Sequence, residues 1–418
     1  MAVRSCEYGG TMLIMMKIAI RNVFRNKRRT LITELAIIFG VITIILVGGI
    51  LEVTLQGLRE QTIRTQLGHI QIYAKGYSSK GMSNPWKYII KEPQVIERVM
   101  ADIPQIKTVT ERVEFSGIIN SGEVSTNFIA IGVIPRKEAL VSSGLNILQG
   151  KNVDELTPDG ALIGKELAEG LGVKVGDPLT LLTNTVHGAF NAVEVIVEGI
   201  FQSGSSEYDK RALITTIKKA QTLLDLEGVT SIIVILDRTE DTNIAAKELK
   251  NKFTKSQLPL ELTTWEKLAT YYKQVRGMFD GIFGSIKFII AIVVMLGIAN
   301  IMIMSVLERT NEIGTIMALG GDRRQVMVLF LLEALTIGLI GAIAGIIAGS
   351  LVTKIVAMIG IPVPPPPGQN AGFVIRPLIL SSSIIFAFVL SVISSLLSGI
   401  YPAYKASKLR PIDALRHV

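Results

Sequence analysis

The placement of long apolar runs leaves this chain few architectures. A bilayer core about 30 Å thick needs roughly 20 apolar residues in a helix to cross it. Four stretches meet that length. The first runs from Thr30 to about Leu51 and carries no charge from Leu35 onward. The second covers Ile282 to Leu307, uncharged from Phe288. The third covers Gln325 to Ile359, with Glu333 and Lys354 near its ends, and the fourth covers Pro377 to Tyr401 without a charge. A segment of mixed composition, residues 53–279, separates the first run from the second. The expected fold is membrane α-helical: four transmembrane helices, with an α+β extracytoplasmic domain inserted between helices 1 and 2.

Basic residues flanking membrane spans stay on the cytoplasmic side. Lys17, Arg21, Arg25, Lys27, Arg28 and Arg29 precede the first span; Arg309, Arg323 and Arg324 lie between the second and third; Lys405, Lys408, Arg410 and Arg416 follow the fourth. All three sets are satisfied by one orientation, with both termini inside and the large segment outside. Lys17, Arg21, Arg25 and Arg28 recur at helical spacing opposite Ile20, Val23 and Phe24, which predicts an amphipathic helix on the inner leaflet. The apolar run after it is too long for a signal peptide and lacks a small-residue cleavage site, so it reads as a retained anchor. Met12, Met15 and Met16 are alternative starts to Met1.

The inserted segment carries short runs rich in β-branched residues at His69–Tyr73, Phe128–Val133, Leu179–Leu182, Val193–Ile200 and Ser231–Leu236, which predict strands. Pro93–Ile103, Lys165–Leu171, Lys218–Leu226 and Asn243–Phe253 have helical spacing, so the class is α+β. Thr263–Gly277 continues with helical character into the second span, and the first span continues past Glu52 through Val53, Leu55, Leu58 and Ile63. Both helices are therefore expected to extend beyond the bilayer as a stalk.

Residue supply excludes most chemistry. The chain has three histidines, His69, His187 and His417, with no metal-ligand spacing, and one cysteine, Cys6, so neither a Cys-rich metal site nor an internal disulfide can form. Gly160-Ala161-Leu162-Ile163-Gly164-Lys165-Glu166 lacks the length and the Ser/Thr of a phosphate loop and reads as a helix start with a solvated lysine. The formal charge of +8 lies on the flanks of the spans, which accounts for it without nucleic acid. No catalytic, metal or cofactor residue is expected.

The informative segment lies between the second and third spans, from Glu308 to Gln325. Its first part is helix-compatible, with Ile313, Ile316 and Met317 on one face and Glu308 and Glu312 on a neighbouring acidic edge. Gly320-Gly321 then stops the helix. A short helix with an apolar face and a charged rim is one that a soluble partner can grip. Together with Arg28-Arg29-Thr30, this segment resembles the cytoplasmic coupling loop of the MacB, LolC/LolE and FtsX family of ABC permeases, the type VII ABC family. The run from Tyr401 to Arg416 is similar to that family's C-terminal signature, carried here by Tyr401, Pro402, Ala403, Ala406, Pro411, Ala414, Leu415 and Arg416. The order of parts agrees as well: one span, a large extracytoplasmic domain, then three spans.

The resemblance implies two permease subunits, a homodimer or a pair of paralogues, working with ABC ATPase subunits that bind ATP and Mg. The permease has no nucleotide site of its own. The coupling residues would be Glu308, Arg309, Glu312, Ile313, Gly314, Ile316, Met317, Ala318, Leu319 and Gly320. Closure of the ATPases would push this helix and move the outside domain through spans one and two. Ile361-Pro362-Val363-Pro364-Pro365-Pro366-Pro367-Gly368 is closer to the lipoprotein-releasing, LolE-like branch than to the macrolide-efflux branch, although any stiff loop uses prolines in this way. That branch would take a hydrophobic or lipid-anchored substrate. A MacB-like efflux component acting with an outer-membrane duct and an FtsX-like relay to a periplasmic enzyme are the alternatives. Gly341, Gly345 and Gly349 leave one flat face on the third span for a close helix neighbour, within the chain or across a subunit contact. Glu333 is expected to snorkel or pair locally. In outline the chain divides into 1–29 (leader and amphipathic helix), 30–52 (helix 1), 53–279 (domain with stalk), 280–307 (helix 2), 308–324 (coupling helix), 325–359 (helix 3), 360–376 (outer loop), 377–401 (helix 4) and 402–418 (tail).

Overall fold

A computed structural model describes residues 15–23, 25, 27–81, 85–363 and 373–409. Cys6, the run Pro364–Pro367 with Gly368, and the signature residues Pro411, Ala414, Leu415 and Arg416 lie outside the described residues. The chain forms two compact units: one from residues 1–55, 276–362 and 374–418, the other from residues 56–275 and 363–373.

The first unit is a helical bundle. A helix over residues 15–23 (α1) precedes α2 (Lys27–Thr62), α8 (Thr270–Glu308), α9 (Thr310–Ala318), α10 (Arg323–Ile359) and α11 (Ser381–Ser407); the intervening helices, α3–α7, belong to the second unit. Among the described residues four helices are long and apolar enough to cross a membrane, namely α2, α8, α10 and α11. At about 1.5 Å per residue, the 36 residues of α2 and the 39 of α8 make helices well over the length a bilayer needs. Small residues set how closely the bundle packs. A Cβ at Gly341 would lie 2.8 Å from Ile37, one at Gly345 2.7 Å from Val41, and one at Gly349 3.1 Å from Ile45, so the glycine face of α10 is seated on α2. One turn before Gly341 on α10, a Cβ at Gly338 would strike Ser395 of α11. Two buried serines of α11 return their hydroxyls to their own helix, Ser391 to the Ala387 carbonyl at 2.8 Å and Ser398 to that of Ser394 at 2.7 Å. Each therefore enters the apolar interior with its donor satisfied.

The second unit holds a ten-stranded mixed sheet. Its strands are β1 (Ile70–Ala74), β2 (Ile106–Asn120), β3 (Ser125–Val133), β4 (Asn146–Gly150), β5 (Gly160–Gly164), β6 (Pro178–Asn184), β7 (Phe190–Gln202), β8 (Ala212–Thr216), β9 (Ser231–Leu236) and β10 (Leu260–Thr264). The spatial order is β10-β1-β9-β2-β3-β8-β5-β7-β4, with β6 paired to β2 and β7; β3 and β8 are parallel, as are β5 and β7. Period-two alternation divides the core between the two faces. Ala130, Ile163 and Leu213 face one cluster with Phe115, Leu223 and Phe253, while Ile131, Leu162 and Ile214 face a second with Phe201. The helices α3 (Pro93–Met100), α4 (Pro135–Val141), α5 (Lys165–Leu171), α6 (Ile217–Leu224) and α7 (Thr242–Lys255) complete the unit.

Three sequence expectations are corrected. Gly160–Gly164 is not a helix start but a fully buried strand; the helix begins one residue later, at Lys165, whose ammonium reaches Glu169 at 3.8 Å. Leu260–Thr264 is a strand against β1, so Thr263 and Thr264 are extended, and the long helix starts only at Thr270. The N-terminal amphipathic helix, described over residues 15–23, does not run on to Arg28: Arg25 sits in a turn and Arg28 is on α2.

The sheet grips the last turns of α2. The helix ends in a π-helical turn over Ile63–Leu67. The guanidinium of Arg112 donates to the Gln66 carbonyl there, and its other face binds Glu138 at 2.6 and 3.2 Å. Burial, although opposed by Arg112, holds the Glu114 carboxyl above the usual range. A second tie runs through His69, which is fully buried. The backbone N–H of Leu236 donates to Nδ1 at 3.2 Å, so the imidazole proton sits on Nε2 and is donated to Thr239 Oγ1 at 3.0 Å. Thr239 then donates to Glu60 of α2 at 2.7 Å.

Candidate coupling site

The connection between α8 and α10 is where polar chemistry enters the bundle. Helix α8 ends at Glu308, Arg309 breaks the helical path at φ −115° and ψ 16°, and α9 begins at Thr310. Gly320 follows with φ +93°, a conformation that a side chain disfavours. Asp322 and Gln325 then form a reciprocal capping box that starts α10.

Arg309 is only 8% exposed and Glu333 only 4%. The Arg309 Nη1 donates to Glu333 at 3.1 Å and its Nε to Glu312 at 3.0 Å. Ser305 of α8 donates to the other Glu333 oxygen at 3.1 Å. Glu312 in turn accepts from Arg25 at 2.8 Å. One continuous chain of charge, Arg25–Glu312–Arg309–Glu333, therefore joins the segment before α2, the helix α9 and the transmembrane helix α10. Burial disfavours the Glu312 carboxylate, but hydrogen bonds from Arg25 and Arg309 outweigh it and hold its carboxyl below the usual range. Glu333 does pair locally, and its partner is the arginine at the loop's hinge. Arg25, read from sequence as a headgroup contact, belongs to this chain instead.

The apolar stripe on α9 is split. Ile313 is buried in the apolar cluster that includes Val23, Val306 and Ala403, and Met317 packs against that cluster. Ile316 instead is 43% exposed and Leu319 85% exposed. Gly314 is buried, while Glu308, Glu312 and Ala318 are on the exposed side. An apolar recess of about 170 Å³ flanks the outer face, bounded by Met15, Ile18, Ile316, Leu329 and Phe330. The C-terminal turns of α11 close the same end of the bundle. Pro402, Ala403 and Ala406 are buried against it and Tyr401 is exposed. Helix α9 therefore presents Thr315, Ile316 and Leu319 outward from a base fixed by ion pairs. Sequence reading missed Arg25 and Glu333 as members of this site; the available signal was a carboxylate inside an apolar helix, 24 residues beyond an arginine.

Comparison with known proteins bears on the family of the chain. The MacB-like periplasmic core domain matches residues 30–252, more than half of the chain, and the FtsX-like permease C-terminal domain matches residues 284–411. The chain is 26% identical to the uncharacterized ABC transporter permease YvrN of Bacillus subtilis, over 97% of this chain and 100% of that one. It is 23% identical to the lipoprotein-releasing system transmembrane protein LolC of Xylella fastidiosa, over 86% of this chain and 87% of that one. The macrolide export ATP-binding/permease protein MacB of Psychrobacter cryohalolentis is 25% identical over 93% of this chain but only 57% of its own length. Four membrane-spanning helices, an inserted mixed-sheet domain and both family matches place the chain in the MacB- and FtsX-like family of ABC transporter permeases.

Proposed function

We propose that this permease receives the stroke of a separate ABC ATPase on the outer face of α9 and passes it through α2 and α8 to the mixed-sheet domain. One observation carries the reading: α9 is fixed on its inner face by Arg309, Glu333 and Ile313, yet leaves Ile316 and Leu319 bare beside an apolar recess. A soluble subunit that inserts apolar side chains there pushes on a rigid block. A cytoplasmic placement of this end of the bundle, and with it of both termini, is supported by the exposed cations Lys27, Arg28, Arg323, Arg324, Lys405 and Lys408. ATP and Mg bind the partner, and two permease copies or a pair of paralogues complete the transporter.

The substrate we assign is hydrophobic or lipid-anchored, extracted from the membrane face on which the domain lies. The apolar character of the spans supports this, since the stretches 35–51 of α2, 288–307 of α8 and 381–401 of α11 carry no charge with which to line a polar channel. The likeness to a lipoprotein-releasing subunit supports it as well. A MacB-like role, handing a substrate to an outer-membrane duct, is the competing outcome. The test is reconstitution with the cognate ATPase. Ile316→Asp with Leu319→Asp is expected to lower ATPase co-purification at least tenfold while the melting temperature stays within about 2 °C, because both side chains are exposed. Undiminished co-purification would end the coupling assignment. Site-specific crosslinking from the domain to lipoprotein, against crosslinking to a duct protein, separates the two substrates.

A further inference from the structure

The end of the bundle far along α2 and α8 from the coupling site contains a cavity of about 290 Å³ that the coupling mechanism does not use. It lies wholly within the helical unit, between α2, α8 and the first turn of α11. Three features of its wall are unlike the rest of the bundle. The first is a cation: the ammonium of Lys287 lies 4.1 Å from the centre of the Phe283 ring and 4.4 Å from that of Phe386. The two rings position it, yet among the described residues no carboxylate lies within ion-pair distance of it. The second is the start of a 27-residue helix whose preceding residue, Leu380, offers no side-chain cap. Its first N–H groups therefore lack intrahelical acceptors and carry partial positive charge. Ser383, in that turn, is 7% exposed. Its hydroxyl lines the cavity without a hydrogen bond to any described residue, and a Cβ at Gly48 would come within 2.7 Å of it. The third is a pair of carboxylates, Glu52 and Asp280, on the same wall; Asp280 lies 3.8 Å from Arg276, and Glu52 too has a partner within the protein.

A cation, a helix N-terminus and an unpartnered hydroxyl on a buried serine make this wall a place for a phosphate oxygen. Glu52 and Asp280 on the same wall disfavour a plain anion and keep carboxylate oxygens within reach of an ammonium, although both already have partners. The remaining wall is apolar, from Leu51, Leu55 and Phe279, and Phe386 is 40% exposed. We infer that this cavity binds the headgroup of a zwitterionic phospholipid of the phosphoethanolamine type. The phosphate lies on Lys287 and Ser383, the primary amine on Glu52 and Asp280, and the acyl chains leave along Phe386 into the bilayer. The inference stands independently of the coupling reading, because its residues lie at the opposite end of α2 and α8.

The experiment is native mass spectrometry of the full-length permease in detergent, titrated with dihexanoyl phosphatidylethanolamine, phosphatidylcholine and phosphatidylglycerol. The ethanolamine lipid is expected to bind at least tenfold more tightly than either of the others. Lys287→Gln and Ser383→Ala should each weaken it, the former about tenfold, and Glu52→Gln with Asp280→Asn should abolish the preference over the choline lipid. Melting temperatures identify any variant that fails to fold, and Ser383→Ala provides the reading if Lys287→Gln is lost. Equal affinity for all three lipids, or wild-type binding in Ser383→Ala and Lys287→Gln, would overturn the site. Soluble O-phosphoethanolamine displacing the lipid at equal concentration would show that the site holds a free headgroup and overturn the lipid assignment.

Discussion

Glu333 and Arg309 make a bond whose worth depends on both partners. An ion pair this buried contributes little net stability over an apolar pair, but removing one partner strands a charge and costs about 3–5 kcal/mol. Arg309→Met is therefore expected to lower thermal stability sharply, and Arg309→Met with Glu333→Leu to recover most of the loss. Scanning fluorimetry of the detergent-solubilised permease gives both values, and an additive double variant would remove the pairing argument. His69 supplies a pH signature. Burial, the largest effect, together with nearby Arg64 and Arg59 outweighs the opposing pull of Glu60, and its pKa falls to about 4. The unfolded chain, titrating near 6.5, takes up a proton between those values that the folded chain refuses. Stability is thus full above about pH 6.5, declines as pH falls toward 4 and levels off below, by at most roughly 3 kcal/mol. Subtracting the profile of His69→Gln from that of the wild type should isolate this slope; parallel profiles would show that His69 does not titrate in this way.

Among the elements, the contact between α2 and α10 is the least tolerant of added bulk. Gly345→Leu forces its side chain against Val41, where even a Cβ would lie at 2.7 Å. Overpacking of this kind typically costs about 1–3 kcal/mol. A lowered melting temperature for Gly345→Leu, with that of Gly57→Ala unchanged or raised because open space surrounds Gly57 and alanine is the better helix former, is the expected pair of results. The element scale is also where sequence reading succeeded and failed. The four apolar helices were legible because twenty uncharged residues have few other uses, and β9 was legible because Ser231–Leu236 is an unbroken apolar, β-branched run. The long strand β2 was not. Lys107, Glu111, Arg112 and Glu114 interrupt its apolar pattern, and its charges are tolerated only because Glu138, Ser231 and the Gln66 carbonyl arrive from elsewhere in the chain. In β5 the apolar core is three residues between glycines, too short to carry a period. The coupling helix was legible as an amphipathic segment, but which of its apolar residues face inward depends on Arg309 finding Glu333, a pairing that no local pattern encodes.

Across the whole molecule, labour is divided between two units with separate cores. The mixed sheet encloses its own apolar clusters, and the bundle encloses another that runs from Ile37 and Ile298 to Ala403. A permease in which residues 56–275 are replaced by a Gly/Ser linker of about ten residues is therefore expected to bind the ATPase as the wild type does while releasing no substrate. Pull-down and release assays on the same preparation check this, and loss of ATPase binding would show that the bundle does not hold its coupling surface unaided.

The charge chain that begins at Arg25 and ends at Glu333 has unequal links. Its first link is half open to solvent on both sides, at 49% and 50% exposure, whereas its last is almost dry. Dissolved ions screen the former far more than the latter. The assembly thus behaves as a clutch with two plates: the segment ahead of α2 can slip free under modest ionic load while the gear formed by α8, α9 and α10 stays engaged.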